Sequence, residues 1–204
     1  MPRVPDPVGV VWNSRGSSPG APGRDPRYPS RRSPDPERVV CLQAVWRPKR
    51  YNATVSQTLT KLTVHVVFSA KNRRDLIAPR IASELYAYIG GICRTNDSPL
   101  LAIGGTANHV HLLISLSKNI ALADLMMTIK KDSSRWIKTK GGEFDDFYWQ
   151  DGYGAFSVSE SQVSAVLDYI ARQEERHRTQ TFEEELVAFA EKHGIAYDPR
   201  YLFT

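Results

Sequence analysis

The sequence predicts an α+β fold built on one antiparallel sheet, and three observations carry that expectation. Segments with strand-like β-branched content alternate with segments of three- and four-residue apolar spacing, in the order β-α-β-β-α-β. The second and third strand segments, 100–105 and 108–116, are joined tightly enough to form a hairpin. The last strand segment is followed by helices rather than by further strands.

Each element has its own warrant. Leu59 to Ser69 is rich in β-branched residues and reads as the first strand. Pro79 suits the first turn of a helix, whose apolar positions are Ile81, Leu85, Tyr88, Ile89 and Ile92. Asn96 to Pro99 breaks it, and Leu100 to Gly105 and Asn108 to Leu116 supply two strands. Leu122, Leu125, Met126, Ile129, Ser133 and Trp136 trace one face of a second helix that ends at Gly141-Gly142. Phe147 to Gln150 and Tyr153 to Val158 are short extended pieces around Gly152 and Gly154. Ser159, with Gln162 three residues on, matches a capping box opening a third helix, and an acidic helix runs from Thr181 to His193. The whole suggests a ferredoxin-like or RRM-like sheet with helices on one face and further helices at the C-terminus.

The 204 residues suit one domain plus a tail. The net charge is +5, but residues 1–54 contribute +6 and the remainder −1, so the basic balance says nothing about the patterned part. Residues 1–54 also hold ten of the thirteen prolines and are expected to be disordered. Val39 to Trp46 is a short apolar exception within them. The tail is either a basic arm for nucleic acid or a product of gene-start choice. The abrupt onset of pattern at Val55-Ser56-Gln57 favours the second. Cys41 and Cys93 form neither a disulfide framework nor a CxxC signature. No apolar run reaches membrane-spanning length and no signal-peptide core opens the chain, so a cytoplasmic protein is expected.

The chemistry-bearing residues are few. His109 and His111 alternate along an apolar strand, so both imidazoles face one side of the sheet while Val110 and Leu112 face the other. That is half of a divalent-metal site, or equally two histidines satisfied by local hydrogen bonds. Leu112 and Leu113 exclude an HxHxDH metallo-hydrolase. On the helix after Ser159, Val163, Val166, Leu167 and Ile170 form the apolar stripe. Tyr169, Gln173 and Arg176 line up along its edge, where a half-buried boundary tyrosine is the bland alternative.

Several stretches together make the pattern specific. They are His65-Val66-Val67-Phe68-Ser69-Ala70-Lys71, Asn108 to Leu113, Tyr148 to Ser159, Tyr169-Ile170-Ala171-Arg172-Gln173-Glu174-Glu175 and the ending Gly194 to Tyr201. In this order they resemble the single-tyrosine HUH transposases, the TnpA type of small insertion sequences. The resemblance covers about 57–203, essentially the patterned domain, which is therefore delimited as 55–204.

The resemblance implies that His109 and His111 are metal ligands, Tyr169 the nucleophile, and Gln173 the amide completing the metal shell. His177, one turn further, is a rival third ligand. Asn108 stands where many relatives have aspartate, and the loss of charge puts metal affinity in doubt. The implied reaction is metal-dependent, with Mg²⁺ or Mn²⁺, and cuts and rejoins single-stranded DNA at hairpin-bearing ends through a 5′-phosphotyrosine. No base for Tyr169 is evident. The 118–140 segment carries six Lys/Arg against two Asp, and Lys71, Arg73 and Arg74 form a second cluster. Lys130, Lys131, Arg135, Lys138, Arg172 and Arg176 complete the expected DNA contacts. Tyr148, Trp149, Tyr153 and Phe156 are expected to divide between base stacking and core packing. A homodimer with active sites shared between subunits, and a hinge at Gly152 and Gly154, also follow by resemblance. Two alternatives compete: an inactive or domesticated relative that binds hairpin nucleic acid without cutting, and a replication initiator or relaxase. The small size disfavours the latter.

Overall fold

The computed structural model describes residues 58–198. The expectations for 1–54 and for the ending at Tyr201 lie outside the described residues.

Nine elements follow the chain: β1 (Leu62–Ser69), α1 (Pro79–Thr95), β2 (Leu100–Gly105), β3 (His109–Leu116), α2 (Leu122–Lys138), β4 (Gly154–Ser157), α3 (Val163–Ala171), α4 (Gln173–Arg176) and α5 (Phe182–Lys192), with short 3-10 turns between some of them. The strands form one sheet in the order β2-β3-β1-β4. All three pairings are antiparallel, as the β-α-β-β-α-β order predicts. β1 and β3 are therefore the central strands.

Alternation along those strands divides the molecule into two layers of packing. Val66 and Phe68 of β1 and Val110, Leu112 and Ile114 of β3 point to the face covered by α1 and α2. There they meet Ile81, Leu85 and Ile89 of α1 and Leu125, Met126 and Ile129 of α2. Each fully buried side chain of this kind contributes about 1.5–3 kcal/mol. The opposite face carries the histidines and two small apolar clusters. One joins Ala102 and Leu113 to Ile170 and the flank of α3; the other joins Val67 and Phe156 to Phe182 of α5. The sheet is thus covered on both faces, by α1 and α2 on one and by the C-terminal helices on the other.

Three local expectations are corrected. Tyr88 is exposed and stacks on Trp136 at 5.1 Å, while Tyr86 is the buried tyrosine of α1. Ser159 makes no capping bond; it precedes a 3-10 turn, Glu160–Gln162, and α3 starts only at Val163. Gly154 is no loose hinge: it pairs with Val67 in the sheet, and a Cβ there would meet Val67 and Leu186 at 3.0 and 3.1 Å. α5, by contrast, has a full capping box in which Thr181 accepts from the Glu184 amide and Glu184 accepts from the Thr181 amide.

Candidate active site

β3 delivers both predicted imidazoles to the face covered by the C-terminal helices. His109 lies opposite Ser69 and His111 opposite Val67 of β1. Both are completely buried, with ring centroids 5.1 Å apart. A buried ring nitrogen needs a partner, and each Nδ1 has one. His109 Nδ1 lies 2.8 Å from Asn108 Oδ1 and 2.9 Å from Thr106 Oγ1. The Asn108 amide is itself oriented, since its Nδ2 donates to Asp75 Oδ1 at 2.9 Å. His111 Nδ1 lies 3.0 Å from His65 Nε2 on β1.

The other ring nitrogen of each makes no hydrogen bond, although Glu185 Oε2 lies 3.2 Å from His111 Nε2. Among the described residues, the buried side-chain polar atoms without a hydrogen bond are His109 Nε2, His111 Nε2 and Gln173 Oε1. These belong to the three residues expected to ligate a metal. A lone pair left unsatisfied in the interior costs about 1–3 kcal/mol, and a common cation would satisfy all three. The donor set of two imidazoles and one amide oxygen fits a divalent cation. Burial holds His109 down at about 3, aided by His111 and His177, while Glu185 and Gln173 pull the other way. An imidazole kept neutral in this way retains its lone pair for a ligand.

The backbone explains how Tyr169 and Gln173 reach this place. α3 lies directly on β2, where a Cβ at Gly104 would stand 2.9 Å from the Ile170 carbonyl oxygen. After Tyr169 the helix breaks at Arg172, with φ −106° and ψ 19°, and restarts as α4. Gln173 is therefore turned inward and buried, rather than sitting on the edge of a continuous helix. The Tyr169 hydroxyl donates to Glu185 Oε1, and the Arg176 guanidinium lies 4.4 Å from the centre of the Tyr169 ring. Burial, and next the Glu185 carboxylate, push the Tyr169 phenol above its ordinary range.

Glu185 of α5 is the residue that sequence reasoning missed. Its side chain is 3% exposed. Oε2 lies 3.2 Å from His111 Nε2 and 3.8 Å from His109 Nε2, without hydrogen-bond geometry, and 3.3 Å from His177 Nε2. Gln173 Nε2 donates to Oε1 at 3.3 Å. Burial alone would raise this carboxyl, but its contacts to His111, His177 and the Tyr169 hydroxyl hold it well below the usual carboxylate range. His109, His111, His177 and Glu185 bring their ligand atoms within 4.8 Å of one another. A signal existed in the sequence. Glu185 interrupts the apolar stripe of Phe182, Leu186 and Phe189, where a carboxylate must find buried partners.

The expected DNA contacts are placed less uniformly. Lys131, Arg135 and Lys138 line a groove of about 560 Å³ along α2 together with Tyr148 and Tyr153. Lys138 Nζ lies 3.3 Å from the centre of the Tyr148 ring. Lys130 has a structural duty instead: it donates to the carbonyls of Gln150, Asp151 and Gly152 at 2.8, 2.9 and 2.5 Å, and burial lowers it to about 8. Lys71, Arg74 and Arg172 are exposed. Arg73 pairs with Glu183 at 2.5 Å beside a cavity of about 570 Å³ that Asn108 and His177 also line. Of the four aromatics, Trp149 and Phe156 are buried, and Tyr148 and Tyr153 are exposed.

Within the chain, β3, α3 and α4 bring His109, His111, Tyr169 and Gln173 together. Comparison with known proteins places the chain in a family. The curated ISDra2 transposase TnpA of Deinococcus radiodurans is 24% identical over 125 residues, which are 57% of this chain and 86% of the relative. A solved transposase from Deinococcus radiodurans has 22% identity and a TM-score of 0.48, covering 59% of this chain and 97% of that one. A REP-associated tyrosine transposase, solved bound to a REP hairpin, has 16% identity and a TM-score of 0.43, covering 71% and 76%. The family described as "Transposase IS200 like" matches residues 58–173, a span holding His109, His111, Tyr169 and Gln173 and stopping short of His177 and Glu185. With more than half of its length matched, the chain belongs to the IS200-like transposase family.

Proposed function

We propose that this chain cuts and rejoins single-stranded DNA beside hairpins, with Tyr169 as nucleophile and His109, His111 and Gln173 as ligands of Mg²⁺ or Mn²⁺. The observation that carries the reading is the convergence of three unpartnered lone-pair atoms beside the carboxylate that holds the Tyr169 hydroxyl. Gln173 is preferred over His177 as third ligand because its Oε1 makes no hydrogen bond, whereas His177 Nε2 is in hydrogen-bond geometry with Glu185 Oε2. The bound ion would supply positive charge to the scissile phosphate and to the departing 3′ oxygen.

The remaining roles belong to the protein. Tyr169 Oη forms a bond to phosphorus as the bond from phosphorus to the 3′ oxygen breaks. The products are a 5′-phosphotyrosine and a free 3′-OH, which keeps the proton lost by the phenol. One ester replaces another, so rejoining needs no external energy. Arg176 over the ring favours the developing phenolate, and Glu185 orients the hydroxyl beforehand. Lys131, Arg135 and Lys138 supply phosphate contacts along α2, with Lys71, Arg73 and Arg74 after β1 and Arg172 after α3 adding charge. Tyr148 and Tyr153 offer exposed rings on which unpaired bases can stack. The activity is assigned to residues 55–204, and a cytoplasmic setting follows from the DNA substrate. No helix among the described residues is long and apolar enough to cross a membrane.

The test is a covalent trap. Labelled hairpin-bearing single strands from the gene's own flanks, incubated with Mg²⁺ or Mn²⁺, should give a denaturant-resistant adduct that disappears in Tyr169→Phe and on chelation. An adduct surviving in Tyr169→Phe overturns the nucleophile. No adduct with any flanking hairpin overturns cutting in favour of hairpin binding alone. Mixing Tyr169→Phe chains with His109→Ala chains separates the two assemblies. Recovered adduct means a homodimer with shared sites, and none means a site closed within one chain.

A further inference from the structure

We propose that His65 is a positioning residue for the metal centre, accepting the Nδ1 proton of His111 on its own Nε2 so that the His111 Nε2 lone pair faces the ion. The inference rests on the reading that His109 and His111 ligate a metal. Nε2 of an imidazole can ligate only if the ring proton sits on Nδ1, and a second hydrogen-bond partner normally fixes that choice.

For His109 the partner is local: Asn108 Oδ1, an obligate acceptor, lies 2.8 Å from Nδ1. His111 cannot be served in this way, because its chain neighbours Val110 and Leu112 point to the other face of the sheet and are apolar. Its acceptor has to come from across the ladder. His111 is paired with Val67 of β1, so the side chain two residues before Val67, on the same face, stands diagonal to it. That residue is His65, and the two rings lie nearly parallel, with centroids 5.2 Å apart and Nε2 3.0 Å from Nδ1.

The surroundings leave His65 little choice of orientation. It is 3% exposed. Phe189 meets it edge-on at 5.3 Å and Tyr169 at 6.0 Å, while Phe156, its Cα partner on β4, lies at 6.3 Å. These rings keep His65 facing His111. The reverse arrangement, in which His65 donates, would put the proton of His111 on Nε2, where it would face Glu185 Oε2 at 3.2 Å and remove the lone pair that an ion needs. Ligation through His111 Nε2 therefore requires His111 as donor and His65 as acceptor.

The experiment combines metal affinity with proton location. Mn²⁺ binding to the full chain without DNA, followed by electron paramagnetic resonance, should weaken roughly 10–100-fold in His65→Phe. His65→Gln offers an amide oxygen to the same proton and should recover most of that loss. Nitrogen-15 NMR at saturating Mg²⁺ should find the proton on His111 Nδ1, with a coupling across the hydrogen bond to His65 Nε2. Thermal melts identify a variant that merely unfolds, in which case His65→Gln and the NMR carry the decision. Wild-type Mn²⁺ affinity in folded His65→Phe, or a proton on His65 Nε2, overturns the assignment of His65 alone. Wild-type protein that binds no Mn²⁺ overturns the metal reading and this inference with it.

Discussion

His65 and His109 enter the interior without their charge. Burial is the main cause, and it holds each at about 3 against an ordinary value of 6.5. An unfolded chain protonates both near 6.5, so between that value and about 3 unfolding takes up protons, and stability must fall as pH falls. With both sites titrating, the slope approaches about 2.7 kcal/mol per pH unit. Glu185, held below its usual range, adds loss of the same sign below the ordinary glutamate value. Urea midpoints of metal-free protein should therefore drop steadily from about pH 7 to about pH 4 and less steeply in His65→Phe. A flat profile would contradict the burial argument. At this scale the sequence was read unevenly. His109 and His111 announce themselves through strand alternation, but Glu185 and His65 acquire meaning only through partners distant in the chain.

The element that matters most for the proposed chemistry is α3, because its distance from the sheet sets the height of Tyr169. Gly104 is what permits the close approach, the Ile170 carbonyl and Cγ2 lying 2.9 and 3.0 Å from where a Cβ would be. Gly104→Val should push the helix outward and cost about 1–3 kcal/mol, read from urea melts. The same variant should lose adduct formation while hairpin affinity stays close to wild type. Unchanged stability would mean that α3 shifts freely. The existence and order of the elements were legible from periodicity, and Pro79, the Leu100–Gly105 strand and the start of the last helix near Thr181 lie where the pattern puts them. The break at Arg172 was not. Its neighbours are good helix formers, and the turn is imposed by the burial of Gln173 against Glu185.

On the scale of the molecule, charge is distributed by function rather than by sum. The groove along α2 presents Lys131, Arg135 and Lys138, whereas Lys130 is spent on three carbonyls beside them. Removing Lys131 or Arg135 should weaken hairpin binding and lower the salt slope by roughly 1 each. Lys130→Ala should instead lower thermal stability, because the turn at 150–152 loses its only described side-chain donor to three carbonyls. Binding titrations at several salt concentrations, paired with melts, distinguish the two classes. Equal effects of Lys130 and Lys131 on the slope would refute the division.

The sequence alone determined the alternation that turns His109 and His111 to one face, the order of strands and helices, and the motifs that mark the family. These are local properties, set by the two-residue and 3.6-residue repeats of the backbone. Only the tertiary structure decided that His65 stands diagonal to His111, that α5 brings Glu185 against Tyr169, and that Lys130 is occupied. Such relations depend on which strands pair and which helices pack together, and no period within a single segment encodes them.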